Sequence, residues 1–172
     1  SGQCVGAGLQ LASVCDVRIA GPDAVFVATA PAARLVPGMS WWRLPRMLGT
    51  GRAKYLIMAS SGIDALEALR IGLVDEVVDG DPVPRGEAVA RRMFDFAPAA
   101  FAETKRLVNA AQTMSHDQAV AEFLVAELRC LAAADTPGSA ERIAAAQRTA
   151  MTQLDDPDPV DGQPATRFDP RW

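Results

Sequence analysis

The sequence predicts an α/β fold in which a few short strands come early and helices fill the rest. Two observations predict it. Asp16-Val17-Arg18-Ile19-Ala20 and Ala24-Val25-Phe26-Val27-Ala28 read as short strands, separated by the turn Gly21-Pro22-Asp23. From Asp81 onward, apolar residues recur at helical spacing in one segment after another. Two or three strands do not make a full sheet by themselves. The expectation is that residues outside this chain complete the sheet, or that its strands pair with another chain.

The elements follow in order. Leu9 to Val14 is a short, nearly all-apolar helix and is expected to be buried. Pro31 and Pro37-Gly38 mark a loop, and Trp41 to Leu48 forms one or two helical turns broken at Gly49. Arg52 to Ala59 is helical, with Tyr55, Leu56 and Met58 available to the core. Asp64-Ala65-Leu66-Glu67 has capping-box spacing and starts a helix through Arg70 that Gly72 ends. Leu73 to Val78 is extended. Asp81-Pro82 opens a helix with Val89, Met93 and Phe96 on one stripe, and Phe101, Lys105, Val108 and Ala111 share a register in the next. Ala119 to Leu131 places Val120, Phe123, Leu124, Leu128 and Leu131 on one face, a stripe that points to burial within the chain or between subunits. Gly138 to Met151 is a last amphipathic helix, and the Asp- and Pro-rich end is an irregular tail unless Phe168 or Trp172 docks.

Composition narrows the function. The 172 residues fit one domain with a core of its own, 49% hydrophobic and 22% charged. A net charge of −4 and the absence of a Lys/Arg run argue against a nucleic-acid surface. The apolar runs are too short and interrupted to span a bilayer, and no signal-peptide pattern is present. Cys4, Cys15 and Cys130 match no zinc spacing, and their odd number argues against a disulfide framework, which fits a reducing cytoplasm. No metal site is expected. His116 stands beside Asp117 in a polar helix start, where a structural or solvent role is expected.

The chemistry concentrates at the start. Gly2-Gln3-Cys4-Val5-Gly6-Ala7-Gly8-Leu9-Gln10 reads as a glycine-rich turn feeding a helix, with no strand expected before it. The first turn of a helix leaves N–H donors without intrahelical partners. Such donors stabilise an anion or a developing oxyanion and can polarise a carbonyl. The alternative is a tight turn with close helix packing. A dinucleotide fingerprint fails because Leu11 stands where a third small residue is needed, and a P-loop fails for want of Gly-Lys-Ser/Thr.

The motif order then resembles a known family. Gly6-Ala7-Gly8-Leu9-Gln10-Leu11-Ala12 and Cys15-Asp16-Val17-Arg18-Ile19-Ala20 are similar to the crotonase superfamily, which includes enoyl-CoA hydratases and isomerases. Pro37-Gly38, Arg43-Leu44-Pro45-Arg46-Met47-Leu48-Gly49, Ala65-Leu66-Glu67-Ala68, Gly72-Leu73-Val74-Asp75-Glu76-Val77-Val78 and Thr104-Lys105-Arg106-Leu107-Val108-Asn109 follow in the family's order. The resemblance covers residues 1 to about 150. It implies a crotonase-like ββα spiral (the ClpP/crotonase type) lacking its N-terminal part, with a helical C-terminal trimerisation region. The implied division is a partial spiral core with the oxyanion-hole turn at 1–80, a helical region at 81–154 and an irregular tail at 155–172. It also implies that roughly the first third of a usual member is absent, which is expected of a truncated chain, a misassigned start or a proteolytic product rather than of a natural partner subunit.

The resemblance assigns roles as well. A CoA thioester carbonyl sits between two backbone amides, of which Ala7 supplies the second, flanked by Gly6 and Gly8. The two hydratase glutamates fall at Gln10 and Ala30, so neither acid is present. The loop that carries an acid in some isomerases is Pro37-Gly38-Met39-Ser40, again without a carboxylate, and Ser40 is at most a hydrogen-bond donor. Trp41 and Trp42 wall an acyl pocket or fill the core, and Arg34 meets phosphate or solvent. A usual Lys-Arg pair that reaches CoA reads Gln147-Arg148, so Arg148 keeps the charge. The implied partner is an acyl-CoA substrate with no further cofactor, no nucleic acid and no membrane, in a cytoplasmic homotrimer or hexamer of fatty acid metabolism. Three readings stand: an acyl-CoA lyase or isomerase with an altered acid–base set, a non-catalytic acyl-CoA-binding pseudoenzyme, and an inactive fragment.

Overall fold

The computed structural model describes residues 1–94 and 97–133, with 141, 144, 145, 148, 166 and 167. Two compact units divide them. The first is Ser1–Gly86 joined by the strand at Thr166–Arg167, and the second begins at Glu87.

The first unit holds two three-stranded sheets. β1 (Gln3–Val5) pairs in parallel with β3 (Val25–Val27), and β3 pairs antiparallel with β4 (Ile63–Asp64). β2 (Ile19–Ala20) pairs in parallel with β5 (Glu76–Val77), and β5 pairs antiparallel with β6 (Thr166–Arg167). The three expected extended segments are therefore shorter than read, at β2, β3 and β5, and three unexpected strands appear. β1 lies directly before the glycine turn, where no strand was expected, because its partner Val25–Val27 is distant in sequence and leaves no local signal. β6 replaces part of the expected irregular tail, while Phe168 and Trp172 lie outside the described residues.

The helices of this unit are α1 (Ala7–Ala12), α2 (Ser40–Leu48), α3 (Thr50–Ala59) and α4 (Ala65–Arg70). α2 and α3 pack on each other, and Leu9, Leu44, Leu56 and Leu73 are the largest fully buried side chains of the core. Pro45 lies inside α2 and removes the backbone donor that would meet the Trp41 carbonyl; Arg46 Nη1 donates to the next carbonyl, that of Trp42, at 2.8 Å. Two burial expectations are corrected. In α1, which ends at Ala12, only Leu9 is buried; Leu11, and Val14 beyond the helix, are exposed. In α3 Leu56 is buried with Ala53, but Tyr55 and Met58 face solvent. A short helix buries one narrow face, so apolar residues on its other faces stay outside: Leu11 and Met58 lie two residues, more than half a turn, from buried Leu9 and Leu56.

α4 carries the clearest local signals. The Asp64 carboxylate accepts the Glu67 N–H at 2.8 Å, capping the start. The Glu67 carboxylate turns to Arg70 instead of closing the capping box. At the end, Leu73 N–H donates to the Ala68 carbonyl at 2.8 Å and Gly72 N–H to Leu69 at 3.0 Å, the Schellman pattern. Leu73 then enters the core.

Arg18 and Arg85 anchor the second sheet. The Arg18 backbone N–H donates to Asp75 at 2.7 Å, and its guanidinium reaches the carbonyls of Leu73 and Cys15, each at 2.7 Å. Arg85, in the first turn of α5 (Val83–Phe94), holds the β5 residue Glu76 through two bonds of 2.7 and 3.0 Å, with only 5% and 14% of the two side chains exposed.

In the second unit, α6 (Pro98–Ala110) packs against α7 (His116–Ala133). α7 begins with a reciprocal cap, in which Ser115 Oγ accepts the Gln118 N–H and the Gln118 side chain accepts the Ser115 N–H. His116 and Asp117 are fully open to solvent beside it. An ion-pair chain joins the helices: Arg106 donates to Glu103 and to Glu122, and Arg129 to Glu103. The stripe Val120, Phe123, Leu124, Leu128 and Leu131 is 45–66% exposed, and Phe101 and Val108 are exposed as well, so these residues are not core within this chain. Of the α5 stripe, Val89 is buried and Met93 half-buried, while Phe96 lies outside the described residues. The helix read at Gly138 to Met151 is described only at 141, 144, 145 and 148, all helical.

Two tests follow from these pairs. Arg85→Leu removes the two-bond contact to the half-enclosed Glu76 carboxylate, and the expected result is a measurable loss of stability in urea unfolding, smaller when Glu76→Leu is added. The Glu103 carboxyl is held below its ordinary 4.5, first by the hydrogen bond from Arg106, with burial opposing and Arg129 assisting. A depressed carboxyl contributes stability above its unfolded value and loses it as pH falls through its folded value. Helix content followed by circular dichroism should therefore become less heat-resistant below pH 4.5, and Glu103→Gln should blunt that dependence.

Candidate active site

The parallel register Cys4↔Phe26 and Val5↔Val27 brings the C-terminal ends of β1 and β3 side by side. The chain leaves β1 at Gly6 and β3 at Ala28, so the glycine turn and the Thr29–Ala30 loop begin at the same end of one sheet. Ligands in α/β folds characteristically bind beyond such strand ends.

Gly6 makes the turn. Its φ of 53° and ψ of −105° lie where residues with a side chain are strained, and its N–H donates to the Val27 carbonyl at 2.9 Å. A Cβ on Gly6 would sit 3.1 Å from Thr29 Oγ1. α1 then begins at Ala7, and Gln10 N–H closes the first turn on the Gly6 carbonyl at 3.2 Å. The N–H groups of Ala7, Gly8 and Leu9 precede that bond and have no intrahelical acceptor. Ala7 and Gly8 are exposed. Thr29 was not singled out from the sequence, because its neighbourhood to Gly6 arises only from strand pairing.

Gln10 lies one helical turn beyond Ala7 and is half-buried. Its Oε1 accepts the Met39 N–H at 3.3 Å, and its amide packs directly on Gly38. The amide expected to orient a ligand or water thus has its oxygen engaged by the loop. Ala30 is half-buried, and its carbonyl accepts from Ala33 at 3.0 Å and Leu35 at 2.8 Å, closing a tight loop in which Arg34 takes a left-handed φ of 59°. Arg34 is exposed, and Ser40 is buried at the start of α2.

Trp41 and Trp42 are 53% and 37% exposed, which removes the core-filling reading. The Arg46 guanidinium stacks 3.9 Å from the Trp42 ring centre and that of Arg43 lies 5.9 Å away. A cavity of about 320 Å³ lies in the same unit, lined by Cys4, Leu9, Ala12, Cys15, Ile19 and Phe26 among others, with Ala7, Gln10 and Ala30 outside its wall. Burial pushes the Cys4 thiol above its ordinary 9.0, so it stays protonated near neutrality. Arg148 is an exposed helical residue of the second unit, and Gln147 lies outside the described residues. The described residues hold no cluster of metal-ligating side chains and no helix long and apolar enough to cross a membrane.

Known proteins resemble this chain in sequence and fold. Residues 1–132 match the family model described as enoyl-CoA hydratase/isomerase. EchA17 of Mycobacterium tuberculosis, named for enoyl-CoA hydratase, is 39% identical over 131 residues, which is 75% of this chain and 49% of that protein. The short-chain-enoyl-CoA hydratase of Clostridium acetobutylicum is 35% identical over 123 residues, 70% of this chain and 47% of its own. A Thermobifida fusca structure in complex with acetoacetyl-CoA superposes with a TM-score of 0.72 at 31% identity, over 76% of this chain and 52% of that one. The chain therefore spans about half the length of the relatives it matches. With the strand–turn–helix geometry and the match over residues 1–132 in agreement, the chain belongs to the enoyl-CoA hydratase/isomerase family and has the α/β crotonase fold.

Proposed function

We propose that this chain carries part of an acyl-CoA thioester site of the hydratase/isomerase type, in which the Ala7 N–H is one donor to the thioester oxygen. The observation that carries the reading is the glycine turn itself. It stands at the end of a parallel strand pair with its first-turn donors unpaired within the helix, inside the segment that matches the family. A donor fixed there stabilises the enolate-like oxyanion that forms when a proton leaves the α-carbon or water adds at the β-carbon. Exposed Trp41 and Trp42 suit the wall of an acyl group, and Arg148 suits a CoA phosphate. CoA bound as thioester is the substrate, and no further cofactor enters the reading.

The acid–base set is altered. Gln10 is an amide and Ala30 a methyl, so neither can move a proton. These two positions favour a second reading, a non-catalytic acyl-CoA binder. The exposed α7 stripe supports assembly into a homotrimer or hexamer, since an apolar helix face of that size is covered in a stable protein.

Calorimetric titration with crotonoyl-CoA, followed by assay of the mixture for hydrated product, tests both readings. Saturable binding with product supports the enzyme, saturable binding without product supports the binder, and no binding overturns the acyl-CoA site in this chain. In the binder case, a Gln10→Glu, Ala30→Glu variant should gain hydratase activity. Ala7→Pro deletes the proposed donor at the first helical position, where proline fits a helix. Its melting temperature should stay close to that of the parent, while any turnover falls about a hundredfold or more.

A further inference from the structure

We propose that Gln10 is a positioning residue: its side-chain carbonyl holds the Pro37–Met39 loop and the start of α2 against α1, and so sets where Trp41 and Trp42 stand in the acyl site. The inference rests on the acyl-thioester reading for the identity of that site. Met39 is the N-cap of α2 and makes no side-chain cap of its own. In a capping box the residue three positions later returns a bond to the cap's N–H. Here that residue is Trp42, which has no acceptor. Gln10, from another helix, supplies the missing acceptor at 3.3 Å.

The contact is tight on its second side too. A Cβ on Gly38 would overlap Oε1 of Gln10, with Cδ and Nε2 only 2.8 and 2.9 Å away, so a side chain there would push the amide out of its place. Gly38 also has a positive φ of 27°. The backbone beneath Gln10 is fixed by its own N–H on Gly6 and by Ser13 Oγ donating to its carbonyl at 2.7 Å. Because only the amide oxygen can accept the Met39 N–H, the assignment of O and N is determined, and the remaining polar group is a donor. Gln10 therefore acts on the site through α2 and not by taking a proton.

The test compares Gln10→Ala with Gln10→Glu, which keeps an acceptor in the same place, and with Gly38→Ala, which presses on the amide while leaving Gln10 in the chain. Amide exchange at Met39, followed by NMR without ligand, should rise about tenfold in Gln10→Ala, the equivalent of about 1.4 kcal/mol, and return in Gln10→Glu. Tryptophan emission should shift in Gln10→Ala and in Gly38→Ala, and combining the two should add little to either alone. Affinity for crotonoyl-CoA should fall in both and recover in Gln10→Glu. Unchanged Met39 exchange in Gln10→Ala overturns the proposal, as does failure of Gln10→Glu to restore it. Raised exchange with undiminished affinity overturns the role in the acyl site. Failure of the unaltered chain to bind crotonoyl-CoA overturns the acyl-thioester reading instead, and is told apart because the ligand-free measurements are made independently.

Discussion

The parallel pairing of Gln3–Val5 with Val25–Val27 is the constraint on which the site depends. Three residues of ladder decide that two loops far apart in sequence leave the sheet at one end. The bond from Gly6 N–H to the Val27 carbonyl extends that ladder by one step and bends the chain into α1. The position of Ala7 is thus a consequence of strand register more than of helix propensity. In a sheet this small a register slip would be costly, because it would turn Phe26 out of the core and move Thr29 away from Gly6.

The two units are held by different physics. The first is a hydrocarbon core of leucines and alanines, tied at its edges by arginines that meet carbonyls and carboxylates left by short strands. Arg18 and Arg85 do there what longer ladders do in larger sheets. The second unit, among its described residues, buries little apolar area, with Val89 and Ala126 the buried hydrophobics. Its α6–α7 pair relies visibly on the Glu103–Arg106–Glu122 chain, with Arg129 closing on Glu103. Partly exposed ion pairs contribute modestly, so this pair of helices has less to hold it than the leucine core of the first unit.

Legibility in the sequence followed the range of the interaction. α4 was readable end to end, because Asp64, Glu67 and Gly72 act within a few residues of one another. The helices α2, α3, α5, α6 and α7 were readable from periodicity and from their breakers. β1, β4 and β6 were not, since a strand of two or three residues exists only through its partner. Burial was misjudged at Leu11, Tyr55 and Met58 because hydrophobicity says which residues can be inside and not which face finds a neighbour. The Ser115–Gln118 cap has its signal in four residues, Ser-x-x-Gln, as local as that of α4. In the site, Ala7, Gln10 and Ala30 came from the order of motifs. The engagement of Gln10 by Met39, 29 residues away, had no signal in either stretch.

The stacked guanidinium of Arg46 gives the aromatic pair a handedness. One face of the Trp42 indole is already occupied by a cation at 3.9 Å, with Arg43 crowding the same ring. A flat or aliphatic group reaching Trp42 meets a ring whose electron density already faces positive charge. Trp41 is the more exposed of the pair, at 53% against 37%. Neighbours in sequence and identical in chemistry, the two tryptophans are therefore unequal surfaces: one presents bare indole, the other an indole already paired with a cation.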